Sequence, residues 1–241
     1  MGEETSSEAI RERMSTVERR IAEAAGRAGR NPGVVRLIVI TKGHSPAVVQ
    51  AAYDAGARRL GENRVEEAVR KIEALPHAGE VEWHLVGPLQ SRKARLVRDH
   101  FALIHAVDRL KVAQQLNARA AEDGRRQAVL LECNVTGEAT KAGWRLTERA
   151  VWDEAWPELQ TISGLANLRV RGLMTMAPLT ADVLIQRETF RRLAALRQYL
   201  ADRLGSELPE LSMGMTDDYE IAIEEGATLV RIGRAILGER M

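Results

Sequence analysis

The chain has 241 residues, 35 Lys and Arg against 34 Asp and Glu, a formal net charge of +1 and a single cysteine, Cys133. Such a balance, with dispersed basic residues, argues against a nucleic-acid surface, and no apolar run approaches membrane-spanning length. One cysteine cannot close an internal disulfide and no charged-then-apolar signal segment opens the sequence, so the expectation is a cytoplasmic protein whose partner is a small molecule.

Residues 5–30 read as an amphipathic packing helix. Thr5 and Glu8 fit a capping box, Ile10, Met14, Val17 and Ile21 form the apolar stripe, and Gly29 with Pro32 stop it. Val35-Arg36-Leu37-Ile38-Val39-Ile40-Thr41-Lys42 follows, an aliphatic run ended by a lysine and closed by Gly43 and Pro46. Four consecutive aliphatics suit a parallel strand buried on both faces, and Lys42 then stands at its carboxyl end, the edge where α/β proteins bind ligands. A lysine in such a place is more often a solvated loop residue, so its surroundings decide its role.

Further strands are predicted near 58–61, 82–86, 102–107, 128–135, 168–174, 210–214 and 228–232, making eight with 35–41. Helices are predicted near 46–56, 63–75, 90–99, 109–123, 146–162, 182–204 and 217–225. This alternation predicts an α/β fold, a single-domain (β/α)8 barrel over residues 1–241 with the N-terminal helix packed on it. A doubly wound open sheet is the alternative, but no Gly-x-Gly-x-x-Gly follows an early strand. In the Trp-rich stretch 144–163, the spacing of Trp152 and Trp156 points to helix packing rather than a ligand box.

In a barrel, the strand ends present Lys42, Glu62 and Asn63, His84 with Gly87, Asp108, Asn134, Met174-Thr175-Met176, Met213-Gly214-Met215-Thr216 and Arg231-Ile232-Gly233 on one face. Gly214 permits close backbone approach, with Thr216 or Asp217 as the following N-cap, a combination that suits an anion. Arg231 ends a buried-looking strand, so its charge needs either an acidic neighbour or a ligand. His84 reads as a hydrogen-bonded core histidine; no metal-ligand spacing, nucleophile elbow or Walker loop is present. An amine, an anion site and an arginine on one face suit a phosphate-bearing aldehyde. The amine must lose its proton to bond it, which crowding by Arg231 and desolvation would favour.

These residues and motifs resemble the pyridoxal phosphate homeostasis proteins over about residues 35–239. The motifs are Val39-Ile40-Thr41-Lys42, Gly61-Glu62-Asn63, Trp83-His84-Leu85-Val86-Gly87-Pro88-Leu89-Gln90, Arg171-Gly172-Leu173-Met174, Leu211-Ser212-Met213-Gly214-Met215-Thr216-Asp217-Asp218 and Val230-Arg231-Ile232-Gly233. The resemblance implies a barrel of the alanine-racemase N-terminal type, fold type III among proteins that bind pyridoxal 5′-phosphate. It implies Lys42 as the Schiff-base lysine carrying the internal aldimine. Ser212 and Thr216 would hold the phosphate, with the backbone near Gly214 and Gly233 and the charge of Arg234. Arg231 would meet the pyridine nitrogen, and Asn63 would line the ring. An arginine there disfavours ring protonation and weakens carbanion chemistry.

The resemblance thus implies a monomeric cofactor carrier for intracellular pyridoxal phosphate (vitamin B6) homeostasis without robust catalysis, passing its load to apo pyridoxal-phosphate-dependent enzymes. The alternative is a racemase-like enzyme acting on amino acids, which needs a second acid/base on the opposite ring face. In alanine racemases a separate C-terminal domain supplies that tyrosine, and only nine residues follow the eighth strand here. Tyr219 is the tyrosine expected to reach the site. A cofactor-free Schiff-base aldolase is a third, weaker reading.

Overall fold

Alternation along the strands sets the architecture of this computed structural model, which describes residues 5–97 and 100–239. The strands are β1 (Arg36–Ile40), β2 (Arg59–Glu62), β3 (Glu82–Leu85), β4 (Leu103–Val107), β5 (Gln127–Asn134), β6 (Trp144–Arg145), β7 (Leu168–Met174), β8 (Glu210–Ser212) and β9 (Leu229–Ile232). All pair in parallel. β1 to β4 follow in order, β4 pairs β5, β5 pairs β7, and β9 returns to β1 with Ile38 opposite Arg231. Eight strands therefore close the expected barrel, and the β1–β9 pairing rules out the open sheet. Two-residue β6 hangs on β5 and was not foreseen.

Residues of alternate parity fill two separate apolar layers, as a pleated strand requires. Ile38, Ile40, Leu103, Ala106, Leu130, Met174 and Leu229 pack inside the barrel. Val39, Leu60, Leu85, Leu131, Leu173 and Val230 face the surrounding helices. These helices are α1 (Ser7–Arg27), α2 (Pro46–Asp54), α3 (Val65–Ala74), α4 (Leu110–Glu122), α5 (Arg149–Ser163), α6 (Val183–Leu204), α7 (Tyr219–Glu224) and α8 (Arg234–Leu237).

α1 buries the predicted stripe of Ile10, Met14, Val17 and Ile21, but Ser6 rather than Thr5 is its N-cap, accepting from the Ala9 N–H at 3.2 Å. It crosses the barrel's seam. Arg13 donates to the Ile236 carbonyl at 2.7 Å, Arg30 to the Ala227 carbonyl at 2.8 Å, and Arg27 pairs with Glu220 and Glu224 of α7. The helix expected over 90–99 is instead a 3-10 helix, Ser91–Leu96; residues 98 and 99 lie outside the described residues. α5 starts three residues late because Trp144 and Arg145 are held as strand and the Leu146 N–H bonds the Asn134 carbonyl at 3.0 Å. Trp152 packs as expected, its indole N–H on the Leu146 carbonyl at 2.9 Å. Among the described residues no helix is long and apolar enough to cross a membrane.

Candidate functional site

The same alternation delivers side chains to the barrel's carboxyl end. Ile38 and Ile40 point inward, so Lys42 continues their row; Leu229 is followed by Arg231 and then Gly233, and Leu130 by Glu132. A cavity of about 540 Å³ opens there, lined among others by Ile40, Lys42, Asn63, Gly87, Glu132, Met176, Thr216, Arg231, Gly233 and Arg234. That volume suits a small cofactor.

The backbone on both sides of Lys42 is clamped from below. Buried Lys71 of α3 sends its ammonium to the Thr41 carbonyl, to Glu62 Oε1 and to Glu67 Oε1, each at 2.7 Å. Glu67 Oε1 also accepts the Gly43 N–H at 2.6 Å, and the Thr41 hydroxyl donates to Glu62 Oε1 at 2.5 Å. Burial pushes the Glu62 carboxyl up, while Lys71 and Thr41 pull it back down. Lys71 went unnoticed in the sequence because its helix position carries no motif.

Arg231 is buried, donating to Ser212 Oγ at 2.5 Å and to the Thr175 carbonyl at 2.9 Å. Burial pulls its guanidinium down to about 10, while Asp218 and Glu132 favour its charge. Beneath it runs a polar chain. Ser212 Oγ lies 2.8 Å from His105 Nδ1, and His105 Nε2 lies 2.9 Å from His84 Nδ1. The Glu82 carboxylate at the far end can only accept, which favours a proton on Nε2 of both rings, with the Ser212 hydroxyl, already accepting from Arg231, donating to His105 Nδ1. His84 Nε2 ends 3.4 Å from Glu82 Oε1. Burial lowers the pKa of both histidines and keeps them neutral. His84 is thus the core histidine expected; His105 was missed.

Ser212 itself is fully buried in this chain and does not line the cavity, nor does Gly214. Gly214 has φ +93°, and a Cβ there would stand 2.8 Å from Tyr219 Cα, so the turn into α7 needs glycine. Asp218, not Thr216 or Asp217, is the residue at the N-cap of α7, and its carboxylate accepts the Met215 N–H at 2.6 Å. Thr216 lines the cavity. Arg234 also lines it, but both Asp217 carboxylate oxygens hold its Nη2 at 2.7 Å. Asn63 forms a wall with Gly87, where a Cβ would stand 2.4 Å from the Asn63 carbonyl oxygen.

Tyr219 does not reach the site. It is 3 % exposed, its ring lies under Arg20 of α1, and it is absent from the cavity lining. Among the described residues, no group of three or more His, Cys, Asp or Glu is placed to hold a metal ion.

The alanine racemase N-terminal domain family matches residues 13–241 of the chain. A pyridoxal phosphate homeostasis protein of Pseudomonas aeruginosa is 42% identical over 231 residues, covering 96% of this chain and 96% of its own length. Among solved structures, an unknown protein from Bifidobacterium adolescentis superposes with a TM-score of 0.88 at 34% identity, covering 98% of this chain and 97% of that one. PipY of Synechococcus elongatus, solved with pyridoxal phosphate bound, has a TM-score of 0.78 at 36% identity, covering 90% of this chain and 100% of that one.

Proposed function

The chain belongs to the alanine racemase N-terminal domain family and, within it, to the pyridoxal phosphate homeostasis proteins, and from that premise we propose that it holds pyridoxal 5′-phosphate at Lys42 as a carrier. The observation that carries this reading is the convergence of Lys42, Thr216, Arg231 and Gly233 on one cavity. Its donors fit a phosphate-bearing ring: an amine, a hydroxyl, two guanidinium groups and the Asn63 amide. A Cβ at Gly233 would press to 3.2 Å from the Ile40 carbonyl oxygen, so the wall beside the amine is bare backbone.

When bound, the cofactor supplies an aldehyde and an electron-withdrawing ring. Lys42 is the covalent anchor, held in place by the Lys71 clamp on its backbone. Thr216 and the backbone at Gly233 take the phosphate; the Arg234 guanidinium contributes charge there, shared between Asp217 and the anion. Arg231 uses two bonds on Ser212 and Thr175, and a guanidinium has five N–H groups, so it has donors left for the ring nitrogen. A donor that cannot accept keeps that nitrogen unprotonated and the ring a weak electron sink, which suits storage more than turnover. Ser212 and Gly214 support this arrangement from behind: one fixes Arg231, the other shapes the turn that presents Thr216.

The racemase alternative lacks a tyrosine in the cavity among the described residues, Tyr219 being turned toward α1. The unit is proposed to be a monomer, with apo pyridoxal-phosphate enzymes as the recipients of its load. The test is titration with pyridoxal phosphate, followed by borohydride reduction and peptide mass mapping. Label confined to Lys42, and lost in Lys42→Ala with weaker phosphate-driven binding remaining, supports the reading. Label scattered over surface lysines overturns it, and exchange of an amino acid's α-proton in deuterated water would replace carrier by enzyme.

A further inference from the structure

The carrier reading leaves the buried, cavity-lining carboxyl of Glu132 without a role. Glu132 is the inward residue two past Leu130 on β5, and it lines the cavity with Lys42, Asn63, Thr216 and Arg231. It is 3 % exposed, and its Oε2 is buried with no hydrogen-bond partner among the described residues. Behind it Gly143, with φ +96°, brings its backbone so near that a Cβ would stand 2.5 Å from the Glu132 carbonyl oxygen and 3.1 Å from its Cγ. The side chain is thus backed by main chain. A buried polar atom left without a bond costs on the order of 1–3 kcal/mol, so a wall carrying one is complementary to a ligand that supplies it.

We propose that Glu132 meets the bound cofactor as a neutral hydrogen-bond donor to an acceptor atom of its ring, making binding tighter on the acid side of neutrality. The inference rests on the pyridoxal phosphate reading.

The groups around Glu132 set its protonation. Asp108 and Arg109 face it from the end of β4, Arg231 from β9, and β7 places uncharged Met174 opposite it; Lys42, His44, Asp217, Arg234 and Glu239 share the cavity. Burial, reinforced by Asp108, pushes the carboxyl up to about 7 against the pull of Arg231 and Arg109. Below that pH it donates. Above it, the carboxylate can only accept, and it turns a negative charge toward a phosphate-bearing ligand. A ligand that needs the neutral form raises this pKa in the complex, so affinity falls as pH rises through the free protein's value.

The experiment uses pyridoxine 5′-phosphate, which has no aldehyde, so bonding at Lys42 does not enter. Its Kd is measured by calorimetry between pH 6 and 9 for the unaltered protein, Glu132→Gln and Glu132→Leu. The ratio of unaltered to Gln dissociation constants cancels the ligand's own ionisations, and Gln is a donor at every pH. The expected ratio is near one at pH 6 and roughly tenfold by pH 8, because each pH unit above the pKa removes about nine-tenths of the neutral form. Glu132→Leu binds about 5- to 10-fold more weakly than Gln at pH 6, the effect of one hydrogen bond. A ratio that stays flat with pH, with binding intact, overturns the role of Glu132 and leaves the carrier reading standing. No binding by any of the three, with folding verified by circular dichroism, overturns both.

Discussion

The two ends of the barrel treat charge differently. Where the strands begin, Glu210 is bonded by Arg36 and, at 2.8 Å, by Thr228, with Arg171 at 3.6 Å, and Arg59 donates to Glu82 at 3.0 Å. Where they end, Arg231 bonds only neutral acceptors and Glu132 leaves an oxygen without a partner. Both ends belong to the same eight strands and use the same residue types. Charges neutralised within the chain hold the fold, and charges left uncompensated are available to a ligand. In the Lys71 clamp the two habits meet: a closed ion network supporting an open site.

Breaking that clamp is expected to have the largest effect. Lys71→Met leaves buried Glu62 and Glu67 without their cation, costing about 3 kcal/mol by urea denaturation. If the clamp also positions the amine, the rate of borohydride-fixed labelling at Lys42 falls about tenfold while pyridoxine 5′-phosphate still binds. A loss of stability with an unchanged labelling rate would make Lys71 structural only.

At the strand-start end, Glu210→Ala should cost roughly 2–3 kcal/mol, less than a fully buried pair because Arg36 is about one-third exposed. Cofactor affinity should be unchanged. A shifted affinity would mean the two ends are coupled more tightly than the contrast implies.

The next effect is a pH dependence of opposite sign at the two ends. The Glu132 pKa is raised in the folded chain, so the folded state binds the extra proton between about 4.5 and 7, and this carboxyl opposes folding increasingly as pH rises through that window. Glu132→Gln should therefore stabilise the apoprotein by on the order of 1–3 kcal/mol at pH 8 and hardly at all at pH 4. The Glu82 pKa is lowered to about 2, chiefly by the nearby His84 ring, so its contribution is present above about 4.5 and is lost as pH falls toward 2. Chemical denaturation of Glu132→Gln and Glu82→Gln across pH should show the two trends crossing. The smallest effect belongs to Arg59→Ala, which removes a half-exposed pair and should change stability by less than about 1 kcal/mol.

The barrel was legible because an apolar run punctuated by Gly or Pro marks a parallel strand wherever it falls. The 3-10 turn at Ser91–Leu96 and strand β6 were not legible, since each is fixed by tertiary contacts rather than local pattern. At the site, Lys42, Arg231 and Gly233 followed from counting to the end of a strand. Ser212, expected to hold the phosphate, bonds Arg231 and is not among the residues lining the cavity; a hydroxyl beside a glycine turn reads the same whether it faces a ligand or a buried arginine. Glu132 did have a signal: it lies two residues past Leu130, on the inward parity of an otherwise apolar strand.

The seam between β1 and β9 also governs when the site comes into existence. Arg36 pairs with Leu229 across nearly the whole chain, and α1 straddles the join. Contacts so distant in sequence are slow to form, so barrel closure is a late event in folding. Lys42 and Arg231 stand on opposite sides of that seam, so the two come together on one cavity only when it closes. The cofactor therefore meets only finished barrels and stabilises them by mass action. Supplying it during refolding should raise the yield of closed protein without hastening the closing step.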